Sequence, residues 1–574
     1  LKKIKKYIIE VKDLKKRFNM IHKMVVASLA TTLLLAPIAS AAEQEMVTIS
    51  SEKKTSSSDH RLVPVRIMSE TIGAGVKWNG LAKSVTVTKG DTQIIFTVGE
   101  SDALVNNKAT SLGAKVEYKD GMVYVPQSIL QNALESKISW NADSNQVVVA
   151  SGDLEVTASQ FVHAMLKADV ENIRALMNDK LKASTQATLL AGIGKSYQGL
   201  YGQINEQLTA STSKNAVHEN VVLTYKAQGI PFQITIRFDN KGLVDDVFIP
   251  YTSDTGLYQK PSYDDPKLYT EKEVVVGEGD LALPGTLTLP VGKTNVPVVV
   301  LVHGSGPNDR DESALSLKPF RDLAVGLAAQ GVAVLRYEKV TREHTLQSSA
   351  AAKGKFTVKE ETIDDAIRAV QAVKKIEGID TKKIIVVGHS QGGMLIPRII
   401  EADKNQDIAK AVIIAGPATS LEDIMIEQSE YGIESLKQLG QSTASMEQQL
   451  EMMKQQVALI KDPAYSTSKL PEGFMLGNPY WWLDFRNYSG PAIAKNQKTP
   501  LLIMQGENDS QVLAHHLDAW KKGLANRSDV TYASYPKVNH FLVEAEGRST
   551  GVEYSQPANV SEAIINDIVK FVKK

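Results

Sequence analysis

Lys383-Ile384-Ile385-Val386-Val387-Gly388-His389-Ser390-Gln391-Gly392-Gly393 is the stretch on which the reading of this chain turns. Four β-branched residues in a row end on Gly388, a serine follows two positions on, and two further glycines open a helix-like apolar run. A G-x-S-x-G sequence between a strand and a helix is a tight turn that lifts a serine hydroxyl out of a sheet; side chains at the glycine positions would collide there. The chain contains this pattern once.

Outward from that turn, strand and helix signals alternate. Apolar runs at 296–302, 332–337, 383–387, 411–414, 501–504 and 530–534, with shorter signals at 273–276 and 285–289, fit strands covered on both faces. Helical spacing covers 320–330 and 362–376, the latter with Ile363, Ala366, Ile367, Val370 and Val373 on one stripe. The pattern predicts a doubly wound, mainly parallel α/β sheet over 271–574.

A serine hydroxyl is a weak nucleophile and needs a base, which needs a carboxylate to hold it. Loops after parallel strands gather at one edge of such a sheet, and the chain order for this turn is serine, acid, histidine. Asp509 follows the strand at 501–504, and His540 follows the last strand, in Lys537-Val538-Asn539-His540-Phe541. Asp509 is expected as acid, with Glu507 as fallback and Asp484 or Glu544 as remoter ones, and His540 as base. His515 and His516 fall on an expected helix at 513–524 and are assigned to the domain surface. Developing negative charge on an attacked carbonyl calls for backbone donors. The expected pair is the N–H of Gln391 and that of Ser305, with Gly304 the second choice. His303 is read as orienting that loop. The interval 417–497 is too long for a simple crossover and predicts a helical cap. Its Tyr480, Trp481 and Trp482, with Met446, Met452, Met453 and Phe485, could line an apolar acyl or aryl pocket or form ordinary cap core.

His303-Gly304-Ser305-Gly306-Pro307-Asn308-Asp309-Arg310-Asp311-Glu312, Gly388–Gly393, Gly506–Val512 and Val538–Phe541 together resemble the α/β-hydrolase superfamily, in particular secreted bacterial carboxylesterases with extra N-terminal domains. That resemblance implies a serine hydrolase acting on carboxylic esters through an acyl-enzyme, with small-molecule esters as substrates and no metal or organic cofactor. A serine peptidase or amidase on the same residues, and an envelope binding protein with a vestigial hydrolase domain, are the alternatives. The chain departs from its relatives after the strand at 332–337. Where they often carry D-x-R-G-x-G-x-S, it reads Tyr337-Glu338-Lys339-Val340-Thr341-Arg342.

Ahead of the hydrolase lie two smaller α+β regions. Residues 62–79 and 124–141 are an internal repeat in which Pro64 aligns with Pro126, Trp78 with Trp140 and Asn79 with Asn141. Each copy reads as a proline entry, a short helix and a Trp-bearing hairpin. Residues 60–152 resemble the copper amine oxidase N-terminal-like domain of surface proteins. His60 is the sole histidine there, and no cysteine exists to help it hold copper. Trp78 and Trp140 are assigned to its core, and contact with a cell wall or surface is the role the resemblance implies. Residues 153–250 combine helices with an antiparallel sheet and carry the isolated His163 and His218. A linker is expected at 251–270.

The 574 residues hold 65 Lys+Arg and 65 Asp+Glu, so a global nucleic-acid footprint is missing. Cysteine is absent, which excludes disulfides, thiol nucleophiles and thiolate metal sites. Residues 1–41 hold nine Lys/Arg against two acids; there His22-Lys23 precede an apolar run and Ala39-Ser40-Ala41 offers a cleavage site. That run spans 24–39, shorter than the roughly 20 residues of a membrane span. A signal peptide over 1–41, a linker at 42–59, a secreted or surface-associated mature chain and no later membrane span are expected.

Overall fold

The computed structural model describes residues 61–141, 146–149, 153–204, 206–228, 231–250, 257–438 and 440–574. The expected signal peptide, the linker at 42–59 and His60 lie outside the described residues. The chain divides into two compact units whose described parts cover 61–250 and 257–574. No helix among the described residues is long and apolar enough to cross a membrane.

The C-terminal unit is built on an eight-stranded sheet. Its strands are β1 (Tyr269–Val276), β2 (Leu283–Pro290), β3 (Val296–Val302), β4 (Ala333–Tyr337), β5 (Ile379–His389), β6 (Ile408–Ile414), β7 (Leu501–Gly506) and β8 (Val530–Tyr535), in the spatial order 1-2-4-3-5-6-7-8. β2 pairs antiparallel with β1 and with β4, and every other neighbouring pair is parallel. The unbroken apolar runs are explained by two cores. Val298, Val300, Ile384, Val386, Ala411 and Ile413 belong to one; Val299, Leu301, Ile385, Val387, Val412 and Ile414 belong to the other. Because side chains alternate across a strand, a strand feeding both cores can hold no polar position. The helix Asp364–Lys374 and the cap pack on the first face; Pro319–Ala329 and Glu562–Lys573 pack on the second. Four helices, Leu421–Gln438, Ala444–Lys461, Pro479–Phe485 and Gly490–Ala494, fill the interval between β6 and β7.

In the N-terminal unit the two repeats pair with each other. Leu62–Pro64 lies antiparallel to Met122–Pro126, with Leu62 opposite Pro126 and Pro64 opposite Tyr124, and a short helix follows each proline directly. The aligned tryptophans differ in fate. Trp140 is 8% exposed and lies in the core, whereas Trp78 is 43% exposed, which corrects its assignment to the core. Its strand Gly75–Asn79 is the edge of a five-stranded sheet, and the indole stacks on Tyr118 with ring centroids 5.6 Å apart. The second region shares this core: Val156, on its first helix, packs in the same cluster as Val63 and Phe96. Its four-stranded sheet is antiparallel throughout. His218 is not isolated. Its Nε2 lies 2.7 Å from Asp245 Oδ2, and the other Asp245 oxygen accepts from Asn178 at 2.5 Å.

Because the C-terminal unit has its own sheet and two cores of its own, a segment of residues 257–574 should fold alone. Differential scanning calorimetry should show one cooperative transition; a broad, non-cooperative melt would show that the unit depends on residues upstream.

Candidate active site

The turn expected to carry the nucleophile has a constrained backbone. β5 ends at His389, and Ser390 adopts φ 53°, ψ −120°, the left-handed side that non-glycine residues avoid. The turn is held by Ser390 N–H donating to Ile414 O of β6 at 2.9 Å and by Met394 N–H donating to Ser390 O at 2.9 Å. The helix Gln391–Ala402 therefore begins immediately, and Gln391 lies in its first turn, where backbone N–H groups have no intrahelical acceptor. Close approach explains the glycines. A Cβ on Gly392 would sit 2.5 Å from the carbonyl oxygens of both Val302 and His303, and one on Gly388 would sit 2.4 Å from Gly392 O.

The residues expected as acid and base, Asp509 and His540, meet from two loops at the same edge. His540 Nδ1 lies 2.8 Å from Asp509 Oδ2, and the exposures are 3% and 0%. Asp509 Oδ1 accepts from the N–H groups of Gln511 (2.7 Å) and Val512 (2.9 Å), and Oδ2, which faces the histidine, also accepts from Gln505 Nε2 at 3.3 Å. The carboxylate fixes the hydrogen on Nδ1, so Nε2 is the nitrogen with a free lone pair. His540 sits beside the turn, since its carbonyl is 2.9 Å from His389 Nε2 and the two rings are 4.7 Å apart. The fallback acids are engaged elsewhere: Glu507 with Ser534, Asp484 with Arg398 and Glu544 with Ser561.

The loop after β3 reaches Ser390 through Gly304, where an added Cβ would stand 3.0 Å from Ser390 Cβ. Both sides of this glycine are gripped. Gly304 N–H donates to Glu312 Oε1 at 2.5 Å, which removes it as an oxyanion donor. Gly304 O accepts from Lys339 Nζ at 2.9 Å and Asn308 Nδ2 at 3.2 Å. In a planar trans peptide the following N–H points opposite to the carbonyl. Lys339 and Asn308 thus set the direction of the Ser305 N–H, and Ser305 is exposed to solvent. Lys339 belongs to the segment that departs from the relatives' pattern. Its ammonium is buried against Glu361 Oε1 at 2.7 Å, and Glu361 Oε2 accepts from Trp481 Nε1 at 2.5 Å. His303 packs its ring against Phe320 and Tyr337, each 5.2 Å away, and burial pushes its pKa down to about 4. It is a neutral packing residue beneath the loop.

Two other assignments change. Trp481 and Trp482 belong to the core beneath the cap instead of an open pocket wall. Trp482 is 1% exposed and spends its indole N–H on Leu476 O, and Phe485 is likewise enclosed. Met453 is buried as well, whereas Met452 is exposed. Tyr480 is half-buried, with Lys355 Nζ 5.9 Å from its ring centre. His516 is buried, not superficial. Its Nδ1 accepts from Ala418 N–H at 3.2 Å, and its Nε2 is 2.9 Å from Glu427 on the first cap helix. His515 is 3.1 Å from the same carboxylate. Glu312, His389 and Lys339 were given no role from the sequence. Glu312 and His389 stand in motifs already noted for neighbouring residues, and no spacing rule connects them.

An eight-stranded sheet in this order, with a strained serine turn after β5 and a histidine–carboxylate pair after β7 and β8, is the architecture of the α/β-hydrolases. Residues 295–546 match the family model described as serine aminopeptidase, S33, and residues 43–149 match that of the copper amine oxidase N-terminal domain. Esterase EstD of Thermotoga maritima is 31% identical over 428 residues, covering 74% of this chain and 97% of EstD. The acylamino-acid-releasing enzyme of Rattus norvegicus is 26% identical over 263 residues, 45% of this chain and 30% of that one. Est1E from Butyrivibrio proteoclasticus aligns over 52% of this chain and 97% of its own, at 14% identity and a TM-score of 0.33. The chain belongs to the α/β-hydrolase superfamily and is a carboxylesterase-type serine hydrolase related to EstD. Copper, named in the N-terminal family, has no donor set here: the matched residues 43–149 contain a single histidine, His60, and no cysteine.

The contact at Gly392 is backbone against backbone, so neither side can yield cheaply. Gly392→Ala should destabilise the C-terminal unit by about 1–3 kcal/mol, the usual cost of overpacking. It should also slow active-serine labelling by a fluorophosphonate. Thermal melts paired with labelling rates check this, and an alanine variant matching wild type in both would refute the packing argument.

Proposed function

We propose that the chain is an exported hydrolase that cleaves carboxylic esters through an acyl-enzyme on Ser390, His540 and Asp509. Ser390 Oγ attacks the ester carbonyl while His540 Nε2 takes its proton, and Asp509 holds the imidazole by its Nδ1–H. The N–H groups of Ser305 and Gln391 receive the oxyanion. The tetrahedral intermediate collapses, the C–O bond breaks, and His540 returns the proton to the leaving alcohol. A water, deprotonated by the same nitrogen, then attacks the acyl-enzyme, releasing the acid and restoring Ser390. The observation that carries this reading is the buried Asp509–His540 pair at 2.8 Å, whose tautomer leaves Nε2 as the acceptor beside the serine turn. The name and extent of the EstD match support an ester as substrate.

Cleavage of amides by the same residues is the second reading, favoured by the aminopeptidase description of the matching family and by the acylamino-acid-releasing relative. Parallel assays on p-nitrophenyl esters and on acylaminoacyl anilides separate the two. The ester reading expects turnover of the esters to exceed that of the anilides by orders of magnitude.

Ser390→Ala and His540→Gln should each lower ester turnover by about 10⁴-fold or more with the fold intact, whereas His515→Gln should stay within a few-fold of wild type. A dead His515 variant beside an active His540 variant would overturn the choice of base. Export predicts that the protein recovered outside the cytoplasm begins at Ala42; intact-mass measurement of a form still carrying residues 1–41 would count against it.

A further inference from the structure

Glu312 and His389 take no part in the proton transfers above, yet both are buried and together contact the loop after β3, the serine turn and the backbone of His540. Glu312 Oε1 accepts from Gly304 N–H at 2.5 Å, and Glu312 Oε2 lies 2.8 Å from His389 Nδ1. His389 immediately precedes the nucleophile, and its Nε2 lies 2.9 Å from the backbone oxygen of His540. The proton count follows from the partners. A carbonyl oxygen only accepts, so Nε2 must carry hydrogen. A carboxylate that already accepts from Gly304 faces Nδ1, so that nitrogen carries hydrogen too. The ring is then an imidazolium paired with a carboxylate, and every polar atom of the pair has a partner.

We propose that Glu312 and His389 are positioning residues: a buried carboxylate–imidazolium pair that locks the oxyanion loop, the serine turn and the backbone of the base into one frame. The proposal rests on the serine-hydrolase reading of Ser390 and His540. It extends that reading to a residue of the loop after β3 and the last residue of β5, 77 positions apart. The electrostatics agree with the geometry. Burial alone would push Glu312 up and His389 down, but their mutual attraction and hydrogen bond outweigh it. Glu312 is held below the usual carboxylate range and His389 above the usual imidazole. Lys339, on the carbonyl side of the same glycine, completes the grip and so fixes the peptide that carries the Ser305 N–H.

Two substitutions at Glu312 separate positioning from packing. In Glu312→Gln the amide oxygen can still accept from Gly304 N–H, and the NH2 can donate to a neutral His389 Nδ1 while Nε2–H keeps the His540 carbonyl. The frame survives without its charge. Ester kcat should fall less than about ten-fold. Glu312→Leu frees the glycine and the imidazole together. Its kcat should fall about 10²- to 10³-fold, the scale of a lost oxyanion donor, with KM changed less than about three-fold. The charge state is read independently. In ¹⁵N-histidine-labelled protein at pH 8, one imidazole should show both ring nitrogens protonated, and that signal should vanish in Glu312→Gln and in His389→Asn. Wild-type kcat in a folded Glu312→Leu variant, or no such signal in the wild type, overturns the proposal. If Glu312→Leu does not fold, the spectra of wild type and Glu312→Gln decide alone. Fluorophosphonate labelling of wild-type Ser390 is run alongside. Unlabelled wild type defeats the serine-hydrolase reading, whereas labelled wild type with an unchanged Glu312→Leu defeats this inference only.

Discussion

The reactive centre depends on one backbone contact, between the first turn of the helix after Ser390 and the last carbonyls of β3. There is room for hydrogen at position 392 and for nothing larger. That approach brings the loop carrying Ser305 beside Ser390, which itself adopts a left-handed conformation. A backbone strained in this way persists only where its surroundings over-determine it. Here the surroundings are parallel strands on both sides, with β6 holding the serine amide and β3 supplying the wall.

Around that contact the chain has buried charges in pairs, each with hydrogen bonds to spare. Glu312 with His389 and Lys339 with Glu361 hold opposite sides of the same glycine. Lone charges in such a place would be prohibitive, and pairs are tolerated because each remaining polar atom finds a partner. The second pair also reaches the cap, since Glu361 accepts from Trp481 on the helix Pro479–Phe485. The oxyanion loop and the cap are thus joined by three side chains.

Much of this was legible in the sequence because it is local. Continuous apolar runs name strands buried on both faces. The serine turn, Asp509 and His540 each sit directly after such a run, so the topology alone delivers them to one edge. What stayed hidden depends on long-range partners. Glu312 meets His389 across the site, and nothing in either motif says that the residue before the serine is charged. Trp481 and Trp482 look like pocket aromatics by composition, but whether a cap residue faces inward or lines open space is decided by packing. Trp78 and Trp140 occupy equivalent repeat positions, yet Trp140 packs into the N-terminal core while Trp78 stacks on Tyr118 at the surface, a difference decided by tertiary contacts. His516 reads as a surface helix residue until the cap helix with Glu427 closes over it.

The reciprocal pairing of the two N-terminal repeats bears on how they can change over time. Leu62–Pro64 and Met122–Pro126 are partners, so a slip of one residue in either would turn its own side chains to the other face and break its match with the other. Duplicated halves joined in this way form a single heritable module, in which an insertion within either paired strand needs a matching change in the other. Divergence is confined to places outside the shared pairing, and the free edge around Trp78 is one of them: there one copy has become different without penalty to its twin.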